Sequence, residues 1–140
     1  MKKNKFKIII TALLLWGSTS AFSQIAFPTI TINLNYPQFQ RLKLDGGFVY
    51  VEGSWKGIIL YRQNDNTYLA YERACSHHPN DPCGLVQVDG SSLFMICNCC
   101  RSSFNFSDGQ PMGGPASRPL IQYRIDLDGS TLKISDEIIN

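Results

Sequence analysis

Two short stretches, Cys75-Ser76-His77-His78 and Cys97-Asn98-Cys99-Cys100, determine how this sequence is interpreted. The chain of 140 residues contains five cysteines and two histidines, and all seven lie between residues 75 and 100. A C-x-H or C-x-x-C pair lets one tight turn direct two ligand atoms at a single metal site. Because the turn signal Asp89-Gly90 lies midway between the stretches, an antiparallel return of the chain predicts that they meet and close a four-ligand cage.

The sequence around these stretches predicts an all-β domain. From Thr29 onward, short alternating apolar runs are separated by Gly, Asn, Asp and Pro, and no segment has convincing helical periodicity. Glycines that take positive φ at little cost predict a meander of hairpins. They occur in Asp45-Gly46-Gly47, Asp89-Gly90, Asp108-Gly109 and Asp128-Gly129. The predicted strands are residues 29–34, 48–52, 57–61, 68–72, 85–88, 93–96, 103–106, 121–126 and 131–134.

Residues 1–23 are predicted to be a secretory signal peptide. Four lysines precede the apolar run IIITALLLW at residues 8–16, and Ala21 and Ser23 supply the small residues of a cleavage site. This run is much shorter than the roughly 20 apolar residues that a membrane-spanning helix needs. Cleavage before Gln24 would leave one domain, residues 24–140, without a membrane span. We therefore expect an exported protein, either periplasmic or secreted.

The charge of that domain gives no support for a nucleic-acid partner. Loss of the four lysines changes the numbers of basic and acidic residues from 13 and 11 to 9 and 11, a net charge of −2. No run of Lys and Arg remains that could follow a phosphate backbone. A hydrophobic content of 44% and a charged content of 17% describe a globular chain and exclude a disordered one.

The two stretches resemble the ligand loops of the Rieske family of [2Fe-2S] domains, which follow C-x-H and C-x-x-H. Cys75 and His77 match the first loop, and Cys97 matches the leading cysteine of the second loop. Cys100 stands where the family has its second histidine. The segment GPASRPL, residues 114–120, is similar to the proline loop that covers the cluster in this family.

This resemblance implies a small antiparallel β-sandwich or barrel with a two-loop cluster-binding subdomain. It also implies that a [2Fe-2S] cluster is held by a four-residue set. The set comprises Cys75, His77, Cys97 and Cys100. Respiratory members of the family place a further cysteine in each loop, and Cys83 and Cys99 occupy those places. The resemblance therefore implies a disulfide between these two, which together with three ligands uses all five cysteines.

Two departures from the family pattern bear on the ligands. With a cysteine at position 100, an oxidised [2Fe-2S] core has three thiolates and one histidine, a net charge of −1 instead of 0. We therefore expect a lower reduction potential than the roughly −150 to +300 mV of ordinary Rieske centres. The spacing Cys75-x-x-His78 is also a ligand spacing, but His77 is preferred because it preserves the family spacing.

The function implied by the resemblance is one-electron transfer with an unknown redox partner protein. A stand-alone enzyme is less favoured, because no catalytic cysteine signature surrounds the histidines and 140 residues leave no room for a separate mononuclear iron domain. Two alternatives remain. One is a structural zinc site with a Cys3His ligand set, and the other is a Rieske-fold interaction module that lacks a metal.

Overall fold

The computed structural model of the chain describes residues 26–64 and 66–140. The predicted signal peptide lies outside the described residues. Ten strands and one 3-10 helix, Pro37–Lys43, occur within them. Their bounds are β1 Ile30–Asn33, β2 Phe48–Val51, β3 Ile58–Asn64, β4 Thr67–Glu72, β5 Val86–Val88, β6 Met95–Cys97, β7 Ser103–Phe104, β8 Pro111–Gly113, β9 Gln122–Asp128 and β10 Thr131–Ile138.

The strands form two antiparallel sheets. The large sheet has six strands in the order β1-β10-β9-β4-β3-β2, and the small sheet has four in the order β5-β6-β7-β8. In the large sheet, Ile58 of β3 pairs with Glu72 of β4, and Ala70 of β4 pairs with Tyr123 of β9. In the small sheet, Val86 pairs with Cys97. In the sequence, the four strands of the small sheet lie between β4 and β9, which are neighbours in the large sheet. The small sheet is therefore a subdomain inserted into the chain of the large one.

Strand β3 explains how one chain supports two cores. Ile58, Ile59 and Leu60 are consecutive, and none of them is exposed to solvent. Because side chains of a strand alternate between its faces, Ile58 and Leu60 pack into the core of the large sheet and Ile59 packs into a second core beneath the small sheet. A strand covered on both faces has a continuous apolar sequence, which is why β3 begins with the run Ile-Ile-Leu.

The predicted all-β class, with a two-loop subdomain on a small antiparallel fold, is confirmed. Nine observed strands overlap the nine predicted ones, and β8 is the strand that the sequence did not indicate. The 3-10 helix buries one residue, Leu42, and so has no apolar repeat to detect. Within the described residues, no helix is long and apolar enough to cross a membrane.

The predicted turns differ from the structure in two places. Gly109 and Gly129 lie in hairpin turns and have φ of +69° and +59°. Gly46, with φ of +79°, instead joins the 3-10 helix to β2. In the β5–β6 turn, Ser92 rather than Gly90 has the positive φ, +60°. The Asp89 carboxylate accepts a hydrogen bond from the Ser91 N–H there, and such a side-chain turn sets a different backbone path.

Candidate metal centre

Two loops at one end of the small sheet form the candidate centre. The first loop, residues 75–84, follows β4, and the second loop, residues 98–102, connects β6 to β7. The Asn98 N–H donates to the Leu85 carbonyl at 3.0 Å, which ties the second loop to the strand that leaves the first. The antiparallel pairing of β5 with β6 therefore places both loops at the same end of the small sheet, as the sequence predicted.

Gly84 closes the first loop. The Cys75 N–H donates to the Gly84 carbonyl at 2.9 Å, and the Gly84 N–H donates to the Asp81 carbonyl at 2.9 Å. A Cβ atom at position 84 would lie 1.9 Å from the His78 carbonyl oxygen. Only glycine permits this approach of two backbone segments, and it keeps the loop compact around its two histidines.

Three of the predicted ligands converge in this structure. The Sγ atoms of Cys75, Cys97 and Cys100 all lie within 4.8 Å of one another. The Sγ atoms of Cys75 and Cys100 are 3.7 Å apart. Cys75 and Cys97 are completely buried and Cys100 is half-buried. Thiolate sulfur is the usual ligand of iron-sulfur clusters and a common ligand of zinc, so this group can hold either.

The thiols differ in acidity. Burial raises the pKa of Cys75 to about 12, with a contribution from its hydrogen bond to Cys97. Burial also acts to raise the pKa of Cys100, but hydrogen bonds from Ser102 and from the neighbouring sulfurs lower it below the ordinary value. Before any metal is bound, Cys100 is therefore the first of these two thiols to ionise.

The two histidines stand apart from the three-thiol group. His77 is exposed, and its ring meets that of His78 edge to face at 4.2 Å between centroids. His78 Nδ1 lies 3.3 Å from Asp81 Oδ2. Neither imidazole belongs to the set of ligand atoms within 4.8 Å of one another. The choice between His77 and His78 as the fourth ligand stays a prediction.

The disulfide implied by the resemblance is confirmed. Cys83 of the first loop is bonded to Cys99 of the second, and their Cα atoms are 5.0 Å apart. Cys75, Cys97 and Cys100 are the free cysteines. The bridge joins the two loops covalently beside the thiols and limits how far the loops can separate.

A third segment, the covering loop of residues 114–120, packs against both loops. Ser76 Oγ donates to the Arg118 carbonyl at 2.7 Å, and the Arg118 guanidinium donates to the Ser76 carbonyl at 2.9 Å. Gly114 has φ of +85°, and a Cβ atom there would lie 2.5 Å from the Cα of Ser102. Its lack of a side chain allows the covering loop to close over the second loop.

Ser102 connects the covering loop to a candidate ligand, and the sequence did not identify it. It is completely buried. Its Oγ accepts a hydrogen bond from the Ala116 N–H at 3.0 Å and lies 3.1 Å from Cys100 Sγ. The Cys100 thiol donates to Ser102 Oγ in this contact. Once Cys100 is a thiolate, the Ser102 hydroxyl can donate to the sulfur instead, which lowers the pKa of Cys100. The only signal in the sequence was a polar residue two positions after a cysteine.

Glu72 positions the start of the first loop and Lys56 positions its end, and neither was singled out from the sequence. Glu72 is completely buried at the end of β4. Its carboxylate accepts hydrogen bonds from the Ala74 and Lys56 N–H groups at 3.1 and 2.9 Å and from the Tyr123 hydroxyl at 2.9 Å. Lys56 Nζ donates to the carbonyls of Asp81 and Gly84. These contacts link the large sheet to the loop that carries Cys75.

Comparison with known families and structures accords with this geometry. The family model of the Rieske [2Fe-2S] domain matches residues 37–124. One similar solved chain belongs to a complex of reduced oxygenase and oxidized ferredoxin in carbazole 1,9a-dioxygenase. It has 16% identity and a TM-score of 0.54, and the match covers 84% of this chain and 98% of that one. This likeness shows a shared fold.

A second similar structure is the ferredoxin of carbazole 1,9a-dioxygenase from Nocardioides aromaticivorans IC177. It has 20% identity and a TM-score of 0.48, and the match covers 66% of this chain and 86% of that one. No curated protein matches the sequence.

Proposed function

This chain belongs to the Rieske [2Fe-2S] domain family, since the matched residues 37–124 make up more than half of it, and from this membership we propose an exported one-electron carrier with a three-cysteine ligand set. Its cofactor is a [2Fe-2S] cluster, and its chemistry is electron transfer. Convergence of three Sγ atoms within 4.8 Å where the two loops meet is the observation that carries the ligand proposal.

The residues of the centre fit such a cluster. Two completely buried thiols and one half-buried thiol form its wall, and a cluster of this type is held by cysteine thiolates and, in Rieske centres, by imidazole. The family pattern assigns Cys75 and Cys97 to the inner iron and His77 and Cys100 to the outer iron. When bound, the cluster accepts and releases one electron. The covering loop packs against both loops and limits the access of water, and the disulfide keeps the loops in place.

Cys100 gives this site a more negative charge than a site with two histidines has. Three thiolates around an oxidised core leave a net charge of −1, and reduction makes it −2. An added negative charge opposes electron uptake, so the reduction potential is lower. With one imidazole in the ligand set, one proton at most is coupled to the electron through histidine. The Ser102 hydroxyl, 3.1 Å from Cys100 Sγ, is placed to stabilise that thiolate.

The test is spectroscopic. Protein purified without oxygen should contain two irons and two acid-labile sulfides per chain, absorb visible light and give an EPR signal after dithionite. A Cys100→His variant, which restores the family pattern, should load with a higher potential and gain a second pH-dependent step. Colourless protein without iron or sulfide would contradict the proposal. An unchanged potential in Cys100→His would remove Cys100 from the ligand set.

Structural zinc is the second candidate, because the same three Sγ atoms within 4.8 Å with one histidine would make a Cys3His tetrahedron. Zinc would give a colourless protein that contains bound metal and unfolds with a chelator. Metal analysis of the purified protein by mass spectrometry separates it from the cluster.

Export and a redox partner protein complete the proposal. The basic segment and apolar run of residues 1–16, followed by Ala21 and Ser23, support export. The similar chain of known structure belongs to a complex of an oxygenase with a ferredoxin, which supports a protein as the redox partner here. Mass spectrometry of the protein from culture fractions should find Gln24 as the N-terminus. Retention of Met1 in the cytoplasmic fraction would contradict export.

A further inference from the structure

The contact between Cys75 and Cys100 has a chemical consequence when no cluster is bound. Their Sγ atoms are 3.7 Å apart, at the meeting point of the two loops. We propose that these thiols form a covalent modification site of the cluster-free chain. A low-molecular-weight disulfide oxidises them to a second bridge between the loops, beside Cys83–Cys99.

The geometry allows this bond with little movement. A disulfide has an S–S distance of about 2.0 Å. The two Sγ atoms, which are 3.7 Å apart, must therefore approach by about 1.7 Å. The existing disulfide and the hydrogen bond from the Asn98 N–H to the Leu85 carbonyl hold the loops together. Because the loops are already joined, little further conformational entropy is lost when the second bridge forms.

Exposure sets the order of the two exchange steps. Cys100 is half-buried and can be reached by a small disulfide, whereas Cys75 is completely buried. The Cys100 thiolate attacks one sulfur of the reagent, forms a mixed disulfide and releases one thiol. The Cys75 thiolate then attacks Cys100 Sγ and releases the second thiol. Two protein thiols lose two electrons and two protons, and one reagent disulfide becomes two thiols.

Cys97 is the competing partner. Its Sγ lies within 4.8 Å of the other two, but the residue is completely buried at the end of β6, where it pairs with Val86. The Sγ atoms of Cys75 and Cys100 lie 3.7 Å apart in hydrogen-bonding geometry, and Cys100 is the one free thiol of the three that is not completely buried. We therefore assign the bridge to that pair and leave Cys97 as the remaining thiol.

The bridge would control loading of the cofactor. It removes two of the three thiols of the proposed ligand set, so an oxidised chain cannot take up a cluster until the bridge is reduced. This consequence rests on the proposed function, whereas formation of the bridge depends on the thiol geometry alone. A domain with histidine at position 100 lacks this site, because imidazole cannot form a disulfide.

Oxidised glutathione serves as the probe on the full cluster-free chain with Cys83–Cys99 intact. Free thiols should fall from the three of the untreated chain by two, and mass spectrometry of unreduced peptides should connect Cys75 to Cys100. A Cys75→Ser variant should instead retain glutathione on Cys100, because the second exchange step has lost its thiol. Three remaining thiols, or a bridge from Cys97 to either partner, would overturn the assignment.

Cluster loading gives the second readout. Treated wild-type chain should fail to acquire visible absorption from ferrous iron and sulfide without oxygen, and should recover after reduction by glutathione. The Cys100→His variant should load to the same extent before and after treatment. Equal loading of treated and untreated wild type would overturn the proposal that the bridge prevents uptake of the cluster. Failure of untreated wild type to load would count against the proposed function, while peptide mapping still decides the bridge.

Discussion

The large and small sheets of this protein are stabilised in different ways. The large sheet has strands of four to eight residues, and its core contains fully buried aliphatic side chains such as Leu60 and Leu132. The small sheet has strands of two or three residues, which are too short to be stable by themselves. Its stability comes from a disulfide, loop hydrogen bonds and packing against β3 and β4. The first region provides a scaffold, and the second provides a site that depends on it.

Truncation in the large core should have the largest effect. Leu60→Ala removes a completely buried side chain, and such changes cost about 2–5 kcal/mol. Both sheets should lose stability, because β3 contributes to both cores. The free energy of unfolding of the cluster-free protein in denaturant measures the effect.

Leu44→Ala is the control for that change, since Leu44 is 69% exposed and should shift stability by less than about 0.5 kcal/mol. A similar loss in both variants would contradict the view that the large core holds the fold together.

Removal of the disulfide should separate the two regions. Cys83→Ser with Cys99→Ser opens a loop with a sequence separation of 16, for which the expected loss is about 3 kcal/mol. Amide hydrogen exchange should show reduced protection in residues 75–102, while protection in β3, β4 and β9 persists. Uniform loss of protection across both sheets would show that the two regions unfold as one unit.

A side chain at position 114 should disturb the covering loop. In Gly114→Ala, the new Cβ would contact the Ser102 backbone, and the residue would have φ of +85°. We expect a loss of about 1–3 kcal/mol. The altered loop should also displace Ser102 from Cys100, so the reduction potential should change.

Gly129→Ala is the matched control for this effect. It also has positive φ, +59°, but a Cβ there meets nothing within 4 Å. Stability should fall through backbone strain, and the potential should stay constant. A shift of potential in the control would contradict a specific role of the covering loop.

Alkaline pH should lower the free energy of unfolding through both cores to a similar extent. We expect this to be the smallest of the four effects. Burial, foremost, raises the pKa of Tyr71 in the small-sheet core and of Tyr123 in the large-sheet core, with further contributions from Asp108 and Glu72 respectively. The folded protein therefore retains protons that the unfolded chain releases above about pH 10. Stability from these hydroxyls is present below that pH and falls above it, by about 1.4 kcal/mol per pH unit for each tyrosine.

Tyr71→Phe and Tyr123→Phe should each reduce the slope of unfolding free energy against pH between about pH 10 and 11. An unchanged slope in either variant would show that its hydroxyl ionises in the folded state as easily as in the unfolded chain.

Much of the fold could be predicted from local sequence. Alternating apolar residues and glycine turns placed nine strands, because those signals act within a few residues. Strand β8, Pro111–Gly113, was missed since it has three residues and no buried side chain. Gly90 was expected to take positive φ, but Ser92 has the positive φ instead. The hydrogen bond from the Ser91 N–H to the Asp89 carboxylate sets a different backbone path in this turn.

Those parts of the centre that follow from ligand spacing and family resemblance could be predicted from the sequence. Spacing and resemblance identified the two loops and the pairing of Cys83 with Cys99. They did not identify Ser102, Glu72 or Lys56, because an isolated polar residue has no periodicity and no motif. Its role appears only when its partners, which lie as many as 51 residues away, are known.

The sequence by itself therefore determined the positions of nine strands, the two loops and the kind of chemistry, since these depend on the pattern of residue types along the chain. Only the tertiary structure decided that three thiols converge, that Cys75 lies 3.7 Å from Cys100, and that Gly84 and Gly114 must lack side chains. These properties depend on distances between segments that are remote in sequence, and packing of the two sheets sets those distances.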